Sequence, residues 1–194
     1  MIRVMAAAIA LSTLALVQPV FGADKYTIDP EHVSVNFSTQ HIKWAKYQGT
    51  VRSILGQIVF DKDDVAASSV HVVIATDSID TLNKAREEEL FASSGGFLDV
   101  AKFPKIVFDS THIEKTGDKT GKITGNLTMA GITHEVLLDA VFDGESRSSW
   151  DGLMRVGFSA TGTLDVGDFG LTGLTDLGIG PELDFTIEVE GTRL

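Results

Sequence analysis

The residues that could carry chemistry are few, and their spacing argues against most uses of them. Five histidines invite a metal site. His41, His112 and His134 share the inward parity of the extended segments around them, whereas His32 breaks parity with His41 and His71 points outward. In a chain that runs up and down, His41 and His134 reach one end and His112 the other. Three ligands then cannot converge as zinc requires, and no metal is expected. Acid–base work needs carboxylates on the inside, but Asp139, Asp184, Glu188 and Glu190 all fall on the outward parity. Asp168, beside Phe169-Gly170, is the one carboxylate in an apolar loop, and it reads as a turn-stabilising residue bonding nearby backbone N–H groups. Arg86 stands three residues before Glu89 on a helical face, a spacing that favours a surface pair over contact with a polar headgroup. There is no cysteine for a thiol nucleophile, and no G-x-S-x-G, H-E-x-x-H or phosphate-loop pattern occurs. No catalytic residue emerges.

The elements that would position these residues are strands. Lys122 to Phe142 carries Ile123, Gly125, Leu127 and Met129 on one parity, then Val136, Leu138, Ala140 and Phe142 after Ala130-Gly131. This is an antiparallel hairpin with one apolar face. Around it lie Tyr26–Ser38, about Gly49 to Phe60, Ser69–Ile79, a strand through Ile106 and Phe108, Met154–Leu164 and Leu183–Glu190. One helix is expected near Leu82–Ala92, in the connection between strands three and four, with Asp80 or Thr81 as its cap and Gly95-Gly96 ending the segment. The fold class is therefore all-β, an eight-stranded antiparallel barrel, with Gly125, Gly157 and Gly162 fitting the tight coiling of a small barrel.

Residues 1–22 read as a signal peptide: Arg3, an apolar run from Val4 to Val17, then small Val20 and Gly22 before a cut after Gly22. The domain is 23–194, and the chain is expected to be exported, with no stable transmembrane segment after cleavage. A formal net charge of −11 disfavours nucleic acid and anionic lipid headgroups as partners.

Alternation of the strands sorts the connections by end. Asp61–Ser68, Glu114–Thr120 and Asp143–Leu153 make a polar rim. The other rim is apolar and glycine-rich, with Trp44, Tyr47, Phe97 and Phe169 as mouth residues. Phe37, Phe108, Leu127, Leu138 and Phe158 line the interior, as plain core or as a tunnel wall.

Several stretches carry a family resemblance: Y-T-I-D-P-E-H-V-S-V-N-F, S-I-D-T, F-L-D-V-A-K-F-P-K-I-V-F-D-S, G-N-L-T-M-A-G-I-T-H-E-V and the late D-F-G-L, in that order. The chain resembles the YceI-like family of bacterial periplasmic proteins, described as polyisoprenoid-binding. That resemblance implies a lipocalin-like barrel whose tunnel takes an isoprenoid quinone or polyprenyl lipid, with no other cofactor and no assigned enzymatic activity. The chain departs from the family at Val33, at Val166 and at Glu87 and Glu89, positions that touch the mouth more than the barrel. The expectation is a binding protein for a long isoprenoid lipid. The alternatives are a barrel enzyme using His41 or His134 as base, and an interaction module whose apolar rim joins a homodimer.

Overall fold

The computed structural model describes residues 22–92 and 97–194. The expected signal peptide lies almost wholly outside the described residues, as does the Gly95-Gly96 stop. Ten strand segments form one continuous sheet: β1 (Asp24–His41), β2 (Ala45–Val51), β3 (Ile54–Phe60), β4 (Ser69–Ala75), β5 (Ile79–Asp80), β6 (Lys105–Lys115), β7 (Thr120–Met129), β8 (Ile132–Arg147), β9 (Met154–Asp165) and β10 (Ile179–Arg193). β2 and β3 are two halves of one bent strand interrupted at Arg52-Ser53, and β4 and β5 are divided in the same way by a short 3-10 turn. Counted so, eight strands close into an antiparallel barrel. Long β1 pairs with β3 through its first half, with β2 through its second, and with β10 along its other edge from Tyr26↔Arg193 to His41↔Ile179. Closure leaves the main ladder without a bare edge.

The expected hairpin is β7–β8. Its two-residue turn puts Ala130 at φ 51 and Gly131 at φ 80, the primed-turn geometry whose twist matches the strands it joins. Gly125 and Gly162 have a more local reason than coiling. An added Cβ on Gly125 would come within 2.4 Å of the Phe108 ring, and one on Gly162 within 2.5 Å of the Phe185 ring. Each glycine is the space into which an inward phenylalanine lies flat.

The helix is α1 (Lys84–Phe91), shorter than expected, and its cap is neither Asp80 nor Thr81. Asn83 does that work, its side chain accepting from the Arg86 backbone N–H at 3.1 Å. Asp80 instead accepts from the Leu82 N–H, and Thr81 donates to Glu87. A one-turn helix α2 (Gly173–Asp176) and a 3-10 turn at Val166–Phe169, neither expected, fill the connection before β10.

Two packed clusters sit at opposite ends of the barrel. At the α1 end Leu98, Val166, Phe169 and Leu171 from the loops pack on Phe108, Val136 and Leu138 from the strands. At the other end Tyr26, Ile28, Ile58 and Val156 pack together. Tyr26 is 0% exposed and donates its hydroxyl to Glu145. Burial first, and then that hydrogen bond, push its pKa well above the ordinary phenol value.

Candidate functional site

Between the two clusters the barrel is hollow. A cavity of about 790 Å³ runs along its axis, toward the upper end of the roughly 300–1,000 Å³ usual for small-molecule sites. Its wall is the inward parity of the strands, including Phe37, Val72, Phe108, Leu127, Leu138, Ala160 and Phe185. Phe60, Phe142 and Phe158 line it too, and their rings pack on one another with centroids 5.2–5.6 Å apart. Charged groups are confined to the ends, and Ser159 is a polar group between them. Lys62, Lys115, Asp118 and Lys119 reach the cavity at the polar rim, and Gln48, Thr81, Asn83, Arg86 and Glu89 reach it at the other.

The second of these ends is the built one. β2 brings Tyr47 under α1, where the Arg86 guanidinium sits 3.9 Å from the ring centroid. His41 stacks on the same tyrosine with centroids 4.3 Å apart. Arg86 also donates to the Thr81 carbonyl at 3.0 Å. This corrects the expected Arg86–Glu89 surface pair: the arginine turns inward, and Glu89 is a lining residue in its own right. α1 is thereby pinned across the mouth by one cation–π contact, one carbonyl and its Asn83 cap.

Of the nine residues expected to meet a ligand, seven line the cavity: Phe37, Tyr47, Phe97, Phe108, Leu127, Leu138 and Phe158. Two do not. Phe169 is 1% exposed and belongs to the packed cluster beneath the loops, because the 3-10 turn Val166–Phe169 folds it inward against the strands. Trp44 is 81% exposed at the tip of the β1–β2 turn and points away from the lumen. The lining residues that parity alone did not single out are Ile54 and Ile58, both buried, together with Asn83 and Glu89.

The histidine and aspartate expectations also change. A bulge between Ser110 and His112 flips the parity of β6, so Ile113 is buried and His112 is exposed. His134 keeps its parity but lies at the rim, its Nδ1 3.6 Å from Asp168 and its ring edge-on to Phe169. The turn-stabilising aspartate is Asp165, which accepts from the Gly167 N–H at 2.7 Å, and not Asp168. Among the described residues no three His, Cys, Asp or Glu side chains gather as a metal site would need.

The comparisons with known proteins agree with this geometry. A YceI-like domain matches residues 26–191. The chain belongs to the YceI-like family. Protein YceI of Salmonella newport (strain SL254) is 41% identical over 174 residues, covering 88% of each chain. The crystal structure of the Campylobacter jejuni YCEI protein superposes with a TM-score of 0.70 at 28% identity, over 80% of this chain and 90% of that one. A polyisoprenoid binding domain from Saccharophagus degradans, implicated in plant cell wall breakdown, shares the fold at a TM-score of 0.66 and 13% identity. It is covered to 98%, against 87% of this chain. The family match and these neighbours account for the barrel.

Proposed function

We propose that this YceI-like barrel is an exported, periplasmic binding protein that holds the chain of an isoprenoid-type lipid along its axis. The observation that carries the reading is the 790 Å³ cavity itself. A barrel of eight strands has just enough width for its side chains to fill the interior, and an unfilled interior forgoes contacts that a packed core would have. An apolar chain restores them. Each 100 Å² of apolar chain surface removed from water contributes about 2.5 kcal/mol, so a few isoprene units suffice for a stable complex. A polar head would remain beside Tyr47 and Arg86, which already present a ring and a cation to the mouth. The name borne by the Saccharophagus degradans domain supports the same ligand class.

Binding without catalysis is part of the proposal. Neither His41 nor His134, the two candidate bases, is among the lining residues. Between its ends, the wall beside the expected chain consists of aliphatic and aromatic groups apart from Ser159 among the described residues.

The test is mass spectrometry of organic extracts from natively purified protein, followed by titration of the emptied protein with a polyprenol. An isoprenoid recovered near one per barrel, and replaced by the added polyprenol, is the expected result. Repeated preparations without lipid, together with no uptake of the polyprenol, would overturn the reading.

A further inference from the structure

The large hydrophobic side chains that the fold leaves exposed are distributed unevenly. Leu55, Leu137 and Val141 lie on the outer wall, Trp150 and Leu153 on the β8–β9 turn, and Leu194 beyond β10 at the far end. The mouth end carries five: Ile42 and Trp44 on the β1–β2 turn, Leu82 before α1, Ile132 at the start of β8 and Leu177 after α2. They sit on four separate connections, and those connections touch. The Ile42 N–H donates to the Gly178 carbonyl at 2.7 Å. Ile132 packs over Gly170, and Phe103 over Gly131. Together they ring the same opening that Tyr47 and Arg86 line.

Two of the five are held outward at a conformational cost. Ile42 has φ 53 and Leu82, 73% exposed, has φ 60, a region that side chains without a short polar group seldom enter. Glycine or asparagine would relieve the backbone and remove exposed apolar surface at once. Neither stands at either position, so these side chains work against the stability of the isolated fold. Lys43 separates Ile42 from Trp44, and Lys84 follows Leu82 by two residues, while Asp176 is the one acid next to a tip. The far rim carries Asp61, Asp63, Asp64, Asp118, Asp143 and Asp151 together with Lys62, Lys115, Lys119 and Arg147. At the mouth, Asp80 is taken up by Arg52 and Glu87 by Thr81. Glu88 and Glu89 remain on α1 and Asp99 and Asp176 on the connections beside it, and the whole chain carries −11, which opposes an anionic surface.

We infer that the mouth end docks on the surface of a bilayer of zwitterionic lipids. Trp44, Ile42, Leu82, Ile132 and Leu177 enter the headgroup boundary, and Lys43 and Lys84 reach the lipid phosphates. Short apolar tips flanked by lysines suit this shallow insertion, since the lysine stems lie along apolar surface while their ammonium groups stay hydrated. The inference rests on the lipid-binding reading for its purpose: a tunnel opening directly onto a membrane lets an apolar chain pass between the two without crossing water.

The experiment uses the two tryptophans as opposed reporters. In the purified Trp150→Phe protein only Trp44 emits, and in Trp44→Phe only Trp150 does. Each is titrated with phosphatidylcholine vesicles, plain and with brominated acyl chains. Trp44 emission should shift to the blue and be quenched by the brominated chains, with Trp150 unchanged. Leu82→Asn in the Trp150→Phe background should weaken vesicle binding by about tenfold, the equivalent of losing one buried large side chain. No response of Trp44 overturns the inference. So does an equal response of both tryptophans, which is nonspecific adsorption, or a Trp44 shift that follows protein concentration without vesicles, which is a second copy on the same face. A response that appears only when phosphatidylglycerol is added overturns the zwitterionic assignment. None of these readouts depends on the tunnel's occupant, so lipid recovered in extracts together with a silent Trp44 leaves the binding function standing and removes the docking.

Discussion

Ala160 on β9 pairs with Ala140 on β8, and both line the cavity beside Ile187. Two inward methyl groups facing each other across a ladder mark a wide part of the lumen. Replacing Ala160 by leucine places three further carbons there. In a filled core such an insertion forces neighbours off their rotamers and costs about 1–3 kcal/mol. In a void it displaces nothing and buries new apolar surface at ~0.8 kcal/mol per carbon. After ~0.5–1 kcal/mol for ordering the side chain, the emptied protein should gain about 1.5–2 kcal/mol. For a chain of this size that is a rise in Tm of about 3–8 °C. The lipid-loaded protein should respond with the opposite sign, because the new side chain competes with the ligand, and stabilisation by the ligand falls as its Kd rises. Calorimetry on matched emptied and polyprenol-loaded samples reads both signs. A loss of 1–3 kcal/mol in the emptied protein, as overpacking would give, refutes the argument that the interior is hollow.

Other substitutions separate the two residues that the structure removed from the ligand. Phe169→Ala should lower stability in denaturant by about 3–5 kcal/mol, as a fully buried ring does, whereas Trp44→Ala should stay within about 0.5 kcal/mol of the parent. Asn83→Ala removes the α1 cap, worth about 1 kcal/mol to the helix. Ligand release in stopped-flow should quicken while the global denaturation midpoint barely moves. Tyr26 supplies a pH test. Its folded pKa lies above the unfolded value of about 10, so its stabilisation is complete below that pH and fades as pH climbs toward the folded value. Denaturation series from pH 8 to 12 should show this loss in the parent, and Tyr26→Phe should flatten it.

Most of the barrel was legible because period-2 alternation is a local property. Each strand that buries one face against the lumen must alternate, and Ile123, Leu127, Val136 and Leu138 do so whatever surrounds them. Parity failed where one extra residue intervened. Nothing in S-T-H-I marks the bulge at Ser110–His112, yet it exchanges His112 for Ile113 on the inner face. The loop residues were harder still, since their burial depends on partners distant in the chain. Phe169 and Trp44 look alike as aromatic residues in rim connections. One is drawn under Val136 and Leu138, and the other stands on a turn with no strand above it. Arg86 was misread for a related reason: a spacing of three suggests a helical pair, but Tyr47, thirty-nine positions earlier in the chain, is the better partner.

The seam between β1 and β10 has a kinetic consequence. It joins the first and last strands of the domain, from Tyr26↔Arg193 onward, with Asp24 and Arg193 paired and the Leu194 N–H bonded to the Lys25 carbonyl. A chain emerging from its N-terminus exposes one edge of β1 until nearly everything else has been made. That edge can be satisfied only by a contact of the greatest sequence separation available, the slowest kind to form. In the interval β1 is a strand template open to another copy of itself. The step at which this barrel is most vulnerable to aggregation is therefore the arrival of the fifteen residues of β10, and mutations that slow the pairing of β10 should reduce soluble yield even where they leave the finished fold as stable as before.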